Sequence, residues 1–286
     1  MTETPVQFGQ GLSLVGMLTQ PARGEPANLA VLMFNAGVLP RIGPHRLNVK
    51  LARALAATGQ TSLRFDLSGQ GDSRSAVTGG DFRAQAVRDI RDAMDHVGQA
   101  CGIRRFALIG VCSGAINAHA AALADPRVVG VLMFDGYWYR SRWTRLVRDW
   151  KRFRNQSWTA AAVTAALRRR LRAVAAPMAF ASAAARDEQA VGLENMPRAE
   201  FSRSVQALVN RGVATYFIYS GSVIDFYSYA RQFRDVFRHE AFVDHVHCDF
   251  CPEIDHTFVS LQAQRHMIER VQGWVAEVQR VAFTAQ

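Results

Sequence analysis

The chain has 286 residues, 49% hydrophobic and 20% charged, with a net charge of +10. That length holds one large α/β domain or two small ones, and the composition excludes a largely disordered chain. Four cysteines are too few for a disulfide scaffold. No apolar run reaches the length of a bilayer span. Met1-Thr2-Glu3-Thr4 lacks the basic and apolar regions of a secretory signal, so the expected compartment is the cytoplasm.

In chain order, Leu29–Phe34 is a short apolar run that predicts a strand, closed by the turn-forming Asn35-Ala36-Gly37. Arg46–Ala57 has helical spacing at Leu47, Leu51 and Leu55 and stops at Gly59. Thr61–Phe65 predicts a second strand, followed by Asp66 and a glycine-punctuated turn through Ser73. Asp81–Gly98 reads as a helix, Phe106–Ile109 as a buried strand running into Gly110, Ala115–Leu123 as a small-residue helix and Val128–Phe134 as a strand. The alternation then lapses. It resumes with a strand at Ala214–Tyr219, a helix near Tyr227–Phe237, a strand near Asp244–Cys248 and a helix from Thr257 to about Val278. Alternating elements with continuous apolar strands predict an α/β fold with a mostly parallel sheet covered on both faces. Residues 137–205 read as a helical cap inserted into a core of residues 1–136 and 206–286.

The charge has one source. From Tyr137 to Arg172 there are eleven basic residues and a single acid, Asp149, so this stretch accounts for the whole excess. It also contains Trp138, Trp143, Trp150 and Trp158, four of the five tryptophans. A local source of charge points to a local partner. Interleaved Arg140, Arg142, Arg145, Trp138 and Trp143 are the candidates for binding an anionic ligand. The alternative is a cap whose tryptophans pack on the core while arginine stems cover them.

Gly110-Val111-Cys112-Ser113-Gly114 has the form Gly-x-nucleophile-x-Gly between a buried strand and a helix. Such a turn strains its central residue, needs small residues two places either side, and sets the nucleophile at a helix N-terminus, where a thiolate is favoured. Cys112 fits this frame. Ser113 as the centre would put β-branched Val111 where a small residue is required. The competing reading is a glycine-rich turn around a buried, inert cysteine. Cys248 and Cys251 form a lone C-x-x-C pair without a second ligand pair of matching spacing, so no metal or cofactor is expected.

These features together resemble the α/β-hydrolase superfamily along nearly the whole chain. Phe34-Asn35-Ala36-Gly37-Val38 is similar to its oxyanion loop, with Asn-Ala-Gly where His-Gly is more usual. Asp66-Leu67-Ser68-Gly69-Gln70-Gly71-Asp72-Ser73 resembles its D-x-x-G-x-G-x-S turn, which is structural. Asp255-His256-Thr257-Phe258 resembles the segment that carries its histidine, and Tyr219-Ser220-Gly221-Ser222-Val223-Ile224-Asp225 the G-x-x-D loop that carries its acid. The resemblance implies Cys112 as nucleophile, His256 as base and Asp225 as orienting acid, with Asp135 the rival acid at the preceding strand end. It implies backbone N–H groups of Val38 and Ser113 as oxyanion donors. A cysteine nucleophile resembles dienelactone hydrolases and polyhydroxyalkanoate synthases. The combined motifs look closer to bacterial hydrolases associated with biosynthetic or exosortase loci.

The expected reaction is hydrolysis of an ester, thioester or lactone through an acyl-cysteine intermediate. An acyltransferase fed by coenzyme A or an acyl carrier protein is the alternative, because the basic cap suits an anionic donor. A non-catalytic accessory protein on the same fold is a third reading, given the departures at Cys112 and at Asn-Ala-Gly. Nucleic acid is not expected, since no nucleic-acid motif accompanies the charge.

Overall fold

Eight strands form one sheet in the order β1-β2-β4-β3-β5-β6-β7-β8 in the computed structural model, which describes residues 1–22, 28–76, 81–155 and 195–284. The strands are β1 (Thr2–Phe8), β2 (Leu14–Gln20), β3 (Ala30–Met33), β4 (Thr61–Phe65), β5 (Phe106–Val111), β6 (Val128–Phe134), β7 (Ala214–Ser220) and β8 (His247–Cys251). From β4 to β8 every pairing is parallel, whereas β1 and β2 join antiparallel at one edge. The central strands β3, β4 and β6 have almost every residue buried because helices cover both faces. The sequence reading did not foresee the β1–β2 hairpin. β1 is largely exposed and is interrupted by Pro5, so it lacks an apolar run.

One face is covered by α2 (Phe82–Cys101), α3 (Ser113–Ala124) and α5 (Arg198–Asn210). The other carries α1 (Leu47–Ala57) and α7 (Leu261–Thr284). The Asp81 carboxylate accepts the Ala84 N–H at 3.1 Å and caps α2. In α3, Ala115, Ala118, Ala121 and Ala122 are buried, and their small side chains let the helix lie close on β5 and β6.

α4 (Thr144–Asn155) lies within the expected cap. The expectation for residues 156–194, including Trp158, Arg168, Arg169, Arg170 and Arg172, falls outside the described residues. α5, assigned by the sequence largely to the cap, instead packs on β7 as part of the core layer. Its Phe201, Val205 and Leu208 repeat at helical spacing and are fully buried. The helix expected near Tyr227–Phe237 is shorter, α6 (Gln232–Val236), because the Gln232 side chain accepts the Ser228 N–H at 2.9 Å and starts the helix late. The last strand begins three residues later than expected, after a 3-10 turn at Ala241–Asp244.

Candidate active site

β5, β6, β7 and β8 run parallel, so their carboxyl ends lie along one edge of the sheet, where the loops that follow them converge. Cys112 follows β5 directly and precedes the first residue of α3, with φ 57° and ψ −123°. This left-handed backbone is costly for a non-glycine residue and holds the side chain clear of the strand. The turn is fixed from both sides: the Cys112 N–H donates to Phe134 O at 2.8 Å, and Cys112 O accepts the Ala115 N–H at 3.0 Å.

The two glycines permit close approach. A Cβ at Gly110 would lie 2.3 Å from Gly114 O and 2.5 Å from Ala115 Cα. A Cβ at Gly114 would lie 2.6 Å from Asn35 O. The Ser113 hydroxyl is engaged differently, accepting the Gly37 N–H at 2.8 Å, and so pins the Asn-Ala-Gly loop to the start of α3. Asn35 is buried and anchors the same loop: its amide donates to Leu39 O and to Asp66, and its carbonyl accepts the Leu67 N–H at 2.7 Å. Asp66 is buried too, and it accepts from the Arg41 N–H and guanidinium and from the Asp72 N–H. The turn after β4 is thus a structural brace for the loop. Val38 is 86% exposed; the loop N–H held against the elbow is that of Gly37.

His256 follows β8 and lies beside Cys112, near enough for that group to raise its pKa. Its Nδ1 lies 2.8 Å from Oδ2 of Asp135, and its backbone N–H donates to Ser222 Oγ at 2.9 Å. Asp135 is completely buried at the end of β6, with φ 49°. It also accepts the Ser220 N–H at 2.8 Å and the Ser220 hydroxyl at 2.6 Å. These donors satisfy the oxygens of the buried carboxyl group. The hydrogen bond to the Asp135 carboxylate is the largest cause, and together with the neighbouring Cys112 it outweighs burial and pushes the imidazole up to about 10.

The geometry corrects the acid expected from the sequence. Asp225 is 46% exposed and lies 3.9 Å from Arg148 of α4. Immediately after β7 the chain enters a 3-10 turn, Gly221–Val223, capped by the Ser220 hydroxyl, which accepts the Ser222 N–H. The turn carries Asp225 toward α4, and the rival acid Asp135 takes His256. Sequence reasoning missed Ser220, Ser222 and Gly37. Ser220 and Gly37 sit in the quoted strand-end and loop segments, but nothing local marks their partners.

An α/β-hydrolase-fold family profile matches residues 38–205 of the chain. The chain belongs to the α/β-hydrolase family. Several solved structures share its architecture at low identity. A serine hydrolase without a lid from Xanthomonas campestris is 13% identical, with 97% of this chain and 95% of that chain covered and a TM-score of 0.55. An esterase of Pyrococcus furiosus is 12% identical over 97% and 91%, with a TM-score of 0.60. A Klebsiella pneumoniae protein provisionally assigned as a dienelactone hydrolase is 13% identical over 96% and 98%, with a TM-score of 0.56. No curated protein matches the chain.

The other sequence candidates in this α/β hydrolase separate by burial. Trp138 is 5% exposed and packs on Phe226, with ring centres 5.1 Å apart. Its place is in the core, which corrects its expected role as a ligand-binding residue: it follows β6 closely enough to be drawn in with Tyr137. Trp143 is 45% exposed. Arg140 and Arg142 line a surface cleft, whereas Arg145 is exposed on α4 outside that cleft. Burial pushes the thiol of Cys248 up to about 12 and that of Cys251 up to about 11, so both stay protonated and unreactive near neutral pH. Among the described residues no cluster of three potential metal ligands exists, and no helix is long and apolar enough to cross a membrane.

Proposed function

We propose that this hydrolase cleaves an ester, thioester or lactone through a covalent acyl-cysteine intermediate, with Cys112 as nucleophile, His256 as general base and acid, and Asp135 as the orienting carboxylate. The observation that carries this reading is the continuous chain from the strained Cys112, through its contact with His256, to the buried Asp135. Asp135 occupies Nδ1, so His256 works at Nε2. In the first half-reaction the sulfur attacks the carbonyl carbon and His256 takes the thiol proton. The oxyanion forms at the Ser113 N–H, which has no intrahelical acceptor at the start of α3, and at an N–H of the loop around Val38. Collapse expels the leaving group, which takes the proton from His256. Water then attacks the thioester with His256 as base, releasing acid and restoring the thiol.

The test is mass spectrometry of the protein mixed with an activated acyl ester. One acyl group on Cys112, absent in Cys112→Ala and long-lived in His256→Ala, is the expected result. Turnover that survives Cys112→Ala would refute the reading, and an unlabelled, unreactive thiol would favour an accessory protein.

A second reading, transfer to an amine, alcohol or thiol from a coenzyme A or carrier-protein donor, is favoured by the basic stretch that follows Asp135. Faster decay of the acyl-enzyme with an acceptor than with water alone would select it.

A further inference from the structure

We infer that the cleft between the post-β6 segment, α5 and α6 is a phosphate-binding site. Its volume is about 290 Å³, and its wall includes Arg140, Arg142, Arg198, Arg238 and His239, with Asp235 as the one carboxylate. Only Arg140 and Arg142 belong to the basic stretch of the sequence. The other basic side chains arrive from 56 to 99 residues further along the chain, counted from Arg142 to Arg198 and from Arg140 to His239.

Three of the guanidiniums lie over aromatic rings. Arg140 Cζ lies 4.8 Å from the Phe226 ring centre, Arg142 4.9 Å from that of Trp143 and Arg198 5.4 Å from that of Phe237. A guanidinium over a ring face can still donate from its N–H edge in pairs, the geometry that matches phosphate oxygens, although Arg198 already gives one Nη2–H to Val236 O. The acid counts for less than its charge suggests, because Asp235 accepts the Tyr229 hydroxyl at 2.7 Å and Tyr229 in turn meets Ser141 at 2.7 Å. His239 accepts from Arg238 through Nε2 at 2.9 Å, so its Nδ1 carries the proton and is a further donor. The Nε of Arg140 is closed off from solvent without a hydrogen-bond partner. Four guanidiniums around one engaged carboxylate repel one another, and a dianion in their midst relieves that repulsion.

The cleft begins five residues after Asp135, within about 18 Å along the chain. That placement suits the phosphates of a carrier whose acyl end reaches Cys112, a role that rests on the function proposed above. The phosphate site itself does not.

The test is calorimetric titration of the full chain, under reducing conditions and at fixed ionic strength, with pyrophosphate and with coenzyme A as probes. Wild-type protein and Cys112→Ala should bind with equal affinity, which separates this site from the chemistry of Cys112. The Arg142→Gln, Arg238→Gln double variant should bind about tenfold more weakly or worse. Arg88→Gln, on the opposite-signed cleft lined by Asp89, Asp92 and Asp95, should bind like wild type. Binding of both probes supports carrier phosphates, and binding of pyrophosphate alone supports free phosphate. Failure of both probes to bind, or equal weakening in Arg88→Gln, overturns the site. Thermal melting of each variant confirms that it is folded.

Discussion

The pairing of His256 with Asp135 gives the residue scale its sharpest expectations. Replacing Asp135 with Asn removes the charge that orients and stabilises the imidazolium, so kcat/KM should fall about 10²–10⁴-fold. Asp225→Asn should stay within about twofold, since this side chain faces Arg148. Esterase assays on both variants decide between the two acids. His256 keeps its proton up to about pH 10, and a base must be deprotonated to take the thiol proton, so kcat/KM should rise with pH toward a midpoint near there. In Asp135→Asn that limb should move toward neutral pH, because the largest cause of the elevation is gone. Stability runs the opposite way. A raised native pKa contributes stabilisation that is complete below the ordinary value of about 6.5 and lost as pH rises toward about 10. Chemical denaturation of wild type against His256→Gln across that window should show the difference shrinking with pH.

At the scale of elements, the β5–Cys112–α3 unit depends on contact between backbones. Gly110→Ala would drive a methyl group into Gly114 O and Ala115, and overpacking of this kind costs about 1–3 kcal/mol. A lowered urea midpoint, with loss of acylation at Cys112, is the expected outcome. This unit was legible in the sequence because its constraints are local: glycines two places either side of Cys112 on a strand-to-helix turn. The position of His256 was legible for the same reason. The acid was not. Asp135 and Asp225 both follow strands that end on the same edge, and register pairs Phe134 with Ile218, so each begins close to the site. The difference lies in the 3-10 turn after Ser220 and in Ser220 itself, which closes over Asp135, and neither has a signature in residue spacing.

Across the whole molecule, the alternation of apolar strands and helices made the sheet readable, while the interleaved Arg and Trp residues of the basic stretch gave no indication of which side faced inward. The structure sorts them. Trp138→Ala should cost about 3–5 kcal/mol, as for a buried aromatic, whereas Trp143→Ala should change stability by less than about 1 kcal/mol. Denaturant titration of the pair measures this directly. The β1–β2 edge went unseen because an exposed strand carrying Pro5 has no hydrophobic pattern to detect.

Placing the acid at the end of β6 has a consequence for how the molecule tolerates change. Cys112 and Asp135 directly follow neighbouring strands joined by one ladder, in which Val111 opposes Phe134. Their separation is set by a hydrogen-bonded rung rather than by a loop. Only the histidine is delivered from elsewhere in the chain. The exposed residues between Asp135 and β7, such as Arg142, Trp143 and Arg145, can therefore be exchanged or recharged while the spacing of sulfur and carboxylate is preserved, whereas Tyr137, Trp138 and α5 must stay to fill the core. The same scaffold could be refitted for another ligand by changing those exposed residues alone.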